Sequence, residues 1–151
     1  MRLLLDTNAL IDLFGRRQPF FADCERLMVM RMFGDAELWV SAKSYADVFC
    51  VLKKALDSVT VQKMFLKSLE YMNVCSIDGA DIARAASLEW ADFEDCLVSV
   101  AAEKIKADYI LTRDKGGFSG SKIPACPASE FFAHYGESRG VFYDTIDFDA
   151  A

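Results

Sequence analysis

The feature that most constrains the fold is the segment Leu3–Leu5, which is uniformly apolar and ends at Asp6. A strand with one solvated face alternates polar and apolar residues, whereas an uninterrupted apolar strand is typical of a parallel sheet covered on both faces. Further short strands are predicted over residues 37–42, 73–77 and 108–112, with helix-like segments between them. This alternation predicts an α/β domain with a central, mainly parallel sheet of about four or five strands flanked by helices.

Apolar spacing and helix-ending residues predict the remaining elements. Helices are predicted over 7–14, 20–33, 43–56, 58–72, 79–90, 93–107 and 127–136. Gly15 and Gly34 end the first two, Ser58 is the predicted cap of the fourth, and Pro127 opens the last. Residues 122–125 are a candidate edge strand. We therefore assign residues 1–135 to one domain and residues 136–151 to a C-terminal tail or docking arm.

Composition narrows the class of protein. A chain of 151 residues with 53% hydrophobic content is sufficient for one compact core. Five scattered cysteines without a C-x-x-C pair, and a single histidine, argue against a zinc site or a dithiol motif. The net charge of −6 is unlike that of a non-specific nucleic-acid coat protein. No apolar run approaches the roughly 20 residues that cross a bilayer, and no signal-peptide pattern is present, so we expect a cytoplasmic protein without membrane contact.

Acidic residues are predicted to meet at one edge of the sheet. Asp6 follows the first strand and Asp114 follows the strand at 108–112. Parallel strands end at the same edge, where open α/β sheets bind ligands. Asp47 and Asp95 lie in the early turns of helices that begin at this edge. Each acid also has a purely structural interpretation: Asp6 as a helix cap, Asp47 as a solvated helix residue, Asp95 as the capping-box partner of Asp92, and Asp114 as a turn residue.

Considered together, the four acids favour a metal site. Like charges about 4 Å apart repel by roughly 4 kcal/mol at an effective dielectric of about 20. Clustered carboxylates therefore need a compensating cation, and ligand sets made only of oxygen select hard metals such as Mg²⁺ or Mn²⁺. Two such ions about 3.5–4 Å apart can activate water and stabilise the leaving oxygen in phosphodiester cleavage.

The motifs LLLDTNALID (residues 3–12) and FEDCLVSVAAEKIKADYILTRDKGGF (residues 93–118) resemble those of the PIN domain family, and of VapC-type toxins of toxin–antitoxin pairs in particular. The resemblance extends from residue 1 to about residue 135. It implies a PIN-like α/β/α sandwich and an endoribonuclease that uses Mg²⁺ or Mn²⁺ and a metal-activated water, leaving 5′-phosphate and 3′-hydroxyl ends. The metal ligands that it implies are Asp6, Asp47, Asp95 and Asp114. Asn8 and Thr112 match polar residues that steady the carboxylates or the attacking water, and Gly117 stands where many relatives carry Asp.

The resemblance also implies partners: an RNA substrate, a cognate antitoxin protein that covers the active site, and a second copy of the chain. The Met- and Phe-rich segment 20–33 is a candidate dimer interface, with a place in the core as the alternative. Candidate phosphate-binding cations, or ordinary surface residues, are Lys43, Arg113, Lys115 and Lys122. Nearby acids that could support the metal ligands, or lie on solvated helix faces, are Asp12, Asp92 and Glu94.

Two other functions compete with a toxin ribonuclease. The main alternative is a PIN-like module that binds RNA or protein without cleavage, and the presence of all four acids argues against it. A phosphatase or a receiver domain would also use acids at strand ends. Such a domain normally carries a pair of acids after its first strand, whereas the segment LLLDTN has one.

Overall fold

Strands and helices alternate along the chain as predicted. The computed structural model of the chain describes residues 1–146. The strands are β1 (Arg2–Leu5), β2 (Glu37–Ser41), β3 (Asn73–Cys75), β4 (Tyr109–Leu111) and β5 (Ala125–Cys126). The helices are α1 (Thr7–Phe14), α2 (Phe21–Met32), α3 (Ala42–Leu52), α4 (Ser58–Ser68), α5 (Gly79–Ser87), α6 (Phe93–Lys104) and α7 (Ala128–Arg139), with a 3-10 turn at Gly116–Phe118.

The five strands form one parallel sheet in the order β3-β2-β1-β4-β5. Strand β1 is central and pairs in parallel with β2 and β4. The predicted fold class, a parallel sheet of four or five strands flanked by helices, is confirmed. The connections between parallel neighbours contain α-helices, except for the connection from β4 to β5, which contains the 3-10 turn.

Burial on both faces explains why Leu3–Leu5 is uniformly apolar. Leu3 and Leu5 belong to a core cluster that contains Leu27 of α2 and Phe131 of α7. Leu4 belongs to a second cluster, which contains small and branched residues of α6 and Phe118. Successive side chains of a strand point to opposite faces, so each of the three leucines of β1 is buried on one face or the other.

Several helix ends differ from prediction. Helices α3, α4, α5 and α6 end three or four residues earlier than predicted, at Leu52, Ser68, Ser87 and Lys104. The predicted cap of α4 at Ser58 is wrong, because Asp57 is the N-cap and its side chain accepts hydrogen bonds from Val59 N and Thr60 N. Aspartate and serine are about equally good caps, and only the extended backbone of Asp57 distinguishes them. Helix α7 continues to Arg139, so the predicted boundary between residues 135 and 136 lies inside it. The candidate edge strand at residues 122–125 corresponds to β5, which begins three residues later and shares only Ala125 with the predicted range.

The segment 140–146, which follows α7, contacts the body of the domain. The ring of Tyr143 lies 6.2 Å from that of Phe132 and 6.4 Å from that of Phe33, and its hydroxyl donates to the Asp35 carboxylate. The side chain of Phe142 remains 79% exposed. Of the predicted tail or arm, residues 147–151 lie outside the described part of the chain.

Four of the five cysteines are buried, where a free cysteine packs as a small apolar residue, and Cys50 is exposed. Within residues 1–146, we find no helix that combines the length and apolar character needed to span a membrane.

Candidate acidic site at the carboxyl edge of the sheet

Adjacent parallel strands place Asp6 and Thr112 side by side. Leu5 pairs with Leu111 in the register of β1 and β4. The residues that follow these two leucines therefore emerge together at the carboxyl edge of the sheet. The Asp6 N–H extends the ladder by one bond and donates to the carbonyl of Leu111 at 3.0 Å.

Asp6 is both a helix cap and part of a buried polar network. Its Oδ1 accepts from Thr7 N at 2.8 Å at the start of α1, which confirms the capping interpretation. Its Oδ2 accepts from Thr112 Oγ1 at 2.9 Å and from Asn8 Nδ2 at 3.2 Å. The residue is 6% exposed. A buried carboxylate is costly unless it is hydrogen-bonded, and these donors hold the Asp6 side chain in one orientation.

Thr112 and Asn8 connect Asp6 to the loop that follows β4. The Thr112 hydroxyl, which donates to Asp6, accepts from Asp114 N at 3.0 Å and from Asn8 Nδ2 at 3.2 Å. Asn8 Oδ1 accepts from Arg113 N at 3.1 Å. One threonine hydroxyl thus connects the Asp6 carboxylate to the backbone of Asp114. Asn8 and Thr112 both hydrogen-bond the Asp6 carboxylate, and the steadying role that the resemblance implies for them stays a prediction.

Asp95 reaches the same edge from the first turn of α6. The helix is capped by Asp92, which accepts from Glu94 N at 2.9 Å and Asp95 N at 3.1 Å. Within residues 1–146, no hydrogen bond returns from Asp92 N to the Asp95 side chain, as a full capping box would require. The Asp95 carboxylate therefore takes no part in capping and extends towards the loop that carries Asp114.

Asp95 and Asp114 meet beside Gly117. Their Oδ2 atoms lie 2.1 Å and 3.0 Å, respectively, from the point that a Cβ atom on Gly117 would occupy. The Oδ1 atom of Asp114 accepts from Gly117 N at 3.2 Å. Two carboxylates from elements that are distant in sequence thus share one small region of the surface.

The pKa values show that three of the predicted acids share one electrostatic environment. Burial raises the pKa of the Asp6 carboxyl, hydrogen bonds from Thr112 and Thr7 oppose that rise, and the charge of Asp114 adds to it. Burial also raises the pKa of Asp95, to about 6, and the charges of Asp92, Asp6 and Asp114 contribute to the increase. Mutual repulsion of this kind is typical of functional sites.

The fourth predicted acid, Asp47, interacts with a lysine. Lys43, one turn earlier in α3, places its Nζ 2.5 Å from Asp47 Oδ2 and 3.2 Å from Glu94 Oε1. The ammonium group therefore joins α3 to α6 beside the acidic site, and it lowers the pKa of Asp6. The structure thus brings together Asp6, Asp95 and Asp114, and the carboxylate of Asp47 pairs with Lys43.

The other predicted cations are also engaged with acids. Arg113 pairs with the buried Asp12, with Nε 2.8 Å from Oδ2, and its guanidinium carbon lies 4.5 Å from the centre of the Phe20 ring. Lys115 Nζ lies 2.7 Å from Glu130 Oε1. The remaining candidate, Lys122, is largely exposed and its nearest carboxylate oxygen is 3.9 Å away.

The ligand chemistry of Asp6, Asp95 and Asp114 fits a hard divalent cation, because these side chains offer only carboxylate oxygen. The repulsion between them would be relieved by positive charge. As the side chains stand, however, no three carboxylate, imidazole or thiol groups of residues 1–146 are close enough to coordinate one ion. Coordination of one ion by all three carboxylates would therefore require at least one of these side chains to move.

Sequence reasoning did not identify two features of this site. One is the position of Gly117 against Asp95, which no sequence signal reveals, because it depends on packing between α6 and a distant loop. The other is the bridge from Lys43 to Asp47 and Glu94. The pairing of Lys43 with Asp47 could have been predicted, because a lysine and an acid four residues apart on a helix are neighbours that favour pairing.

Solved structures of toxin–antitoxin proteins have the same fold. VapBC2 from Rickettsia felis, bound to a DNA fragment from its promoter, gives a TM-score of 0.66 at 12% identity, covering 84% of this chain and 98% of that one. VapBC-1 from nontypeable Haemophilus influenzae gives a TM-score of 0.65 at 17% identity, covering 85% of this chain and 99% of that one. VapC20 from Mycobacterium tuberculosis, a toxin that cleaves the sarcin–ricin loop, gives a TM-score of 0.58 at 11% identity, covering 78% of this chain and 94% of that one.

Sequence comparison identifies the family directly. A search of curated proteins finds no match. The PIN domain family profile matches residues 2–116, which include Asp6, Asp47, Asp95 and Asp114. This match covers most of the described domain and confirms the resemblance seen in the motifs. The chain belongs to the PIN domain family.

Proposed function

We propose that this protein is an Mg²⁺- or Mn²⁺-dependent endoribonuclease and the toxin of a toxin–antitoxin pair. The observation that carries the proposal is the meeting of Asp6, Asp95 and Asp114 at the carboxyl edge of the sheet, where burial and the charge of Asp114 raise the pKa values of Asp6 and Asp95. Such an arrangement is unfavourable for stability and suits a site that binds a cation. Membership of the PIN domain family supports the same assignment.

In this proposal Asp6, Asp95 and Asp114 hold the metal, which would supply Lewis acidity and an activated water for hydrolysis of the phosphodiester bond. Thr112 and Asn8 keep the Asp6 carboxylate in a fixed orientation through bonds of 2.9 Å and 3.2 Å. Because the Thr112 hydroxyl also accepts from Asp114 N, it maintains the spacing between the two acids. Fixed ligand orientation of this kind supports both metal affinity and rate.

Asp47 joins the metal ligands only if it leaves Lys43. We propose that Lys43 acts as the resident counter-ion of the acidic edge, held between Asp47 and Glu94. The side chain of Lys43 is 28% exposed, so it is partly accessible to solvent. An RNA phosphate at this position would compete with the two acids for the same cation.

An antitoxin is the proposed protein partner. The structures from Rickettsia felis and Haemophilus influenzae are of VapBC proteins, and the acidic edge described above would attract a basic side chain from such a partner. We also propose a homodimer. The exposed side chains of Met32 and Phe33, which are 60% and 71% exposed at the end of α2, are candidates for that interface.

One observation favours the alternative of a non-cleaving binding module. No three potential ligands of the described residues converge on one point, and Lys43 lies where it competes with a cation for Asp47. Such a module would bind RNA or a protein at the same edge without hydrolysis. The experiment below separates the two functions.

The test is cleavage of mixed RNAs by the purified protein with and without Mn²⁺, beside Asp6→Asn, Asp95→Asn and the control Glu137→Gln. Glu137 is exposed on α7, and its variant removes the same unit of charge. We expect metal-dependent cleavage by the wild type and the control, and loss of at least about a hundredfold in each Asp variant, since each removes a proposed ligand of the catalytic metal. Cleavage retained by both Asp variants would refute the assigned roles. RNA binding with neither cleavage nor Mn²⁺ binding would establish the binding module instead.

A further inference from the structure

Gly117 lies between the two carboxylates that approach the acidic edge from different elements. Its N–H donates to Asp114 Oδ1 at 3.2 Å. A Cβ atom on Gly117 would lie 2.1 Å from Asp95 Oδ2 and 3.0 Å from Asp114 Oδ2. Non-bonded heavy atoms prefer separations of about 3.5–4.0 Å, so the Asp95 carboxylate occupies the space that any side chain at position 117 would need.

Position 117 requires glycine because the neighbouring carboxylates leave no room for a side chain, and not because of its backbone conformation. Gly34 and Gly140 have positive φ angles of 78° and 66°, where other residues are strained. Gly117 does not adopt that conformation. An alanine at position 117 would therefore be compatible with the backbone and incompatible only with its neighbours.

We propose that Gly117 is a positioning residue: the absence of a side chain lets the Asp95 carboxylate lie beside Asp114. A side chain at position 117 and the present position of Asp95 exclude each other. The part of this inference that concerns metal binding rests on the proposed function. The steric part stands independently of it.

The neighbouring glycine provides a matched control. A Cβ atom on Gly116 would meet Asp114 Oδ1 at 3.8 Å, an ordinary van der Waals contact. Both glycines belong to the same 3-10 turn. Gly116→Ala and Gly117→Ala therefore make the same chemical change in the same turn, and only the second displaces Asp95.

Calorimetric titration with Mn²⁺ alone tests the consequence for metal binding. Changes that misorient metal ligands commonly reduce affinity by about 10–100-fold. We expect a reduction in that range for Gly117→Ala and an unchanged affinity for Gly116→Ala. In the Asp95→Asn background, Gly117→Ala should cause little further loss, because it acts through Asp95. Equal affinity of the two alanine variants would overturn the proposal.

Metal-free crystal structures of the two alanine variants separate this inference from the proposed function. A displaced Asp95 carboxylate in Gly117→Ala alone would support the inference, and an unmoved carboxylate would overturn it. Absence of Mn²⁺ binding by the wild type would refute the metal-dependent function, while the crystal structures would still decide the role of Gly117.

A folding measurement covers the case in which Gly117→Ala unfolds the protein. Asp95→Ala removes the oxygen that lies 2.1 Å from the new methyl group. The double variant should therefore recover most of the thermal stability that Gly117→Ala loses. If the loss persists in the Asp95→Ala background, the steric conflict lies elsewhere and the proposal is wrong.

Discussion

Replacement of Thr112 by valine tests the polar network at the acidic edge. The substitution keeps the shape of the side chain and removes a hydroxyl that is buried and makes three hydrogen bonds. The bond to the Asp6 carboxylate has a charged acceptor, and such bonds contribute about 1.5–3 kcal/mol. The other two are neutral, and Asp114 N can be rehydrated because Asp114 is exposed. We expect a total loss of about 3 kcal/mol in the free energy of unfolding.

Urea denaturation measures this loss, with Thr112→Ser as the control that keeps the hydroxyl. The midpoint should fall in Thr112→Val at an unchanged m-value. For a chain of this size, about 3 kcal/mol corresponds to a fall in Tm of about 6–12 °C. Thr112→Ser removes one methyl group, and its cost should be about 1 kcal/mol.

The pH dependence of the same variant is a second readout. The Thr112 hydrogen bond lowers the pKa of Asp6, which burial raises above its ordinary value. The bond therefore stabilises the ionised form, and its loss matters most above the Asp6 pKa. The destabilisation of Thr112→Val should shrink as the pH falls towards 4 and Asp6 takes up a proton. Two results would refute this account of the network. One is a loss in the free energy of unfolding below about 0.5 kcal/mol, the size of an ordinary surface substitution. The other is a loss that is the same at pH 4 and pH 8.

Three further predictions concern charge and helix capping. Asp95 has a pKa of about 6, above its ordinary value, so its ionisation opposes folding as the pH rises from about 4 through 6. Asp95→Asn should therefore stabilise the metal-free protein at pH 8 by about 1 kcal/mol, after allowance for solvent screening. It should have no such effect at pH 3.5, and equal effects at both pH values would contradict this prediction. Lys43→Met should raise Mn²⁺ affinity several-fold in a calorimetric titration, because it removes a competing cation; unchanged affinity would exclude that role. Asp57→Ala should lower the urea midpoint while Ser58→Ala leaves it unchanged, and the reverse order would restore Ser58 as the cap of α4.

The parallel sheet was predictable because its signal is local. A strand that is buried on both faces must be apolar throughout, and Leu3–Leu5 shows that composition directly. Once the strands are parallel, Asp6 and the residues after Leu111 must emerge at the same edge. The motifs alone also predicted the PIN domain family, which the family profile confirms.

The roles of individual acids were less predictable, because each fits two local descriptions. Asp6 caps α1 and also joins the buried network, so the two interpretations of its position are both correct. For Asp92 and Asp95 the spacing of a capping box is present, yet the Asp95 carboxylate lies beside Gly117 and accepts no hydrogen bond from Asp92 N in the described part of the chain. Spacing along a helix determines which residues are neighbours, and the rotamer of each side chain decides which neighbour it contacts.

By itself the sequence determined the fold class, the edge of the sheet at which polar residues gather and the set of acids available there. These properties follow from the side-chain periods of helices and strands, which depend only on neighbouring residues. Only the tertiary structure decided that Lys43 also reaches Glu94 of α6 and that Asp95 fills the space above Gly117. Such contacts depend on how α3, α6 and the loop after β4 pack together. Close packing leaves each side chain only the space that residues distant in sequence allow it.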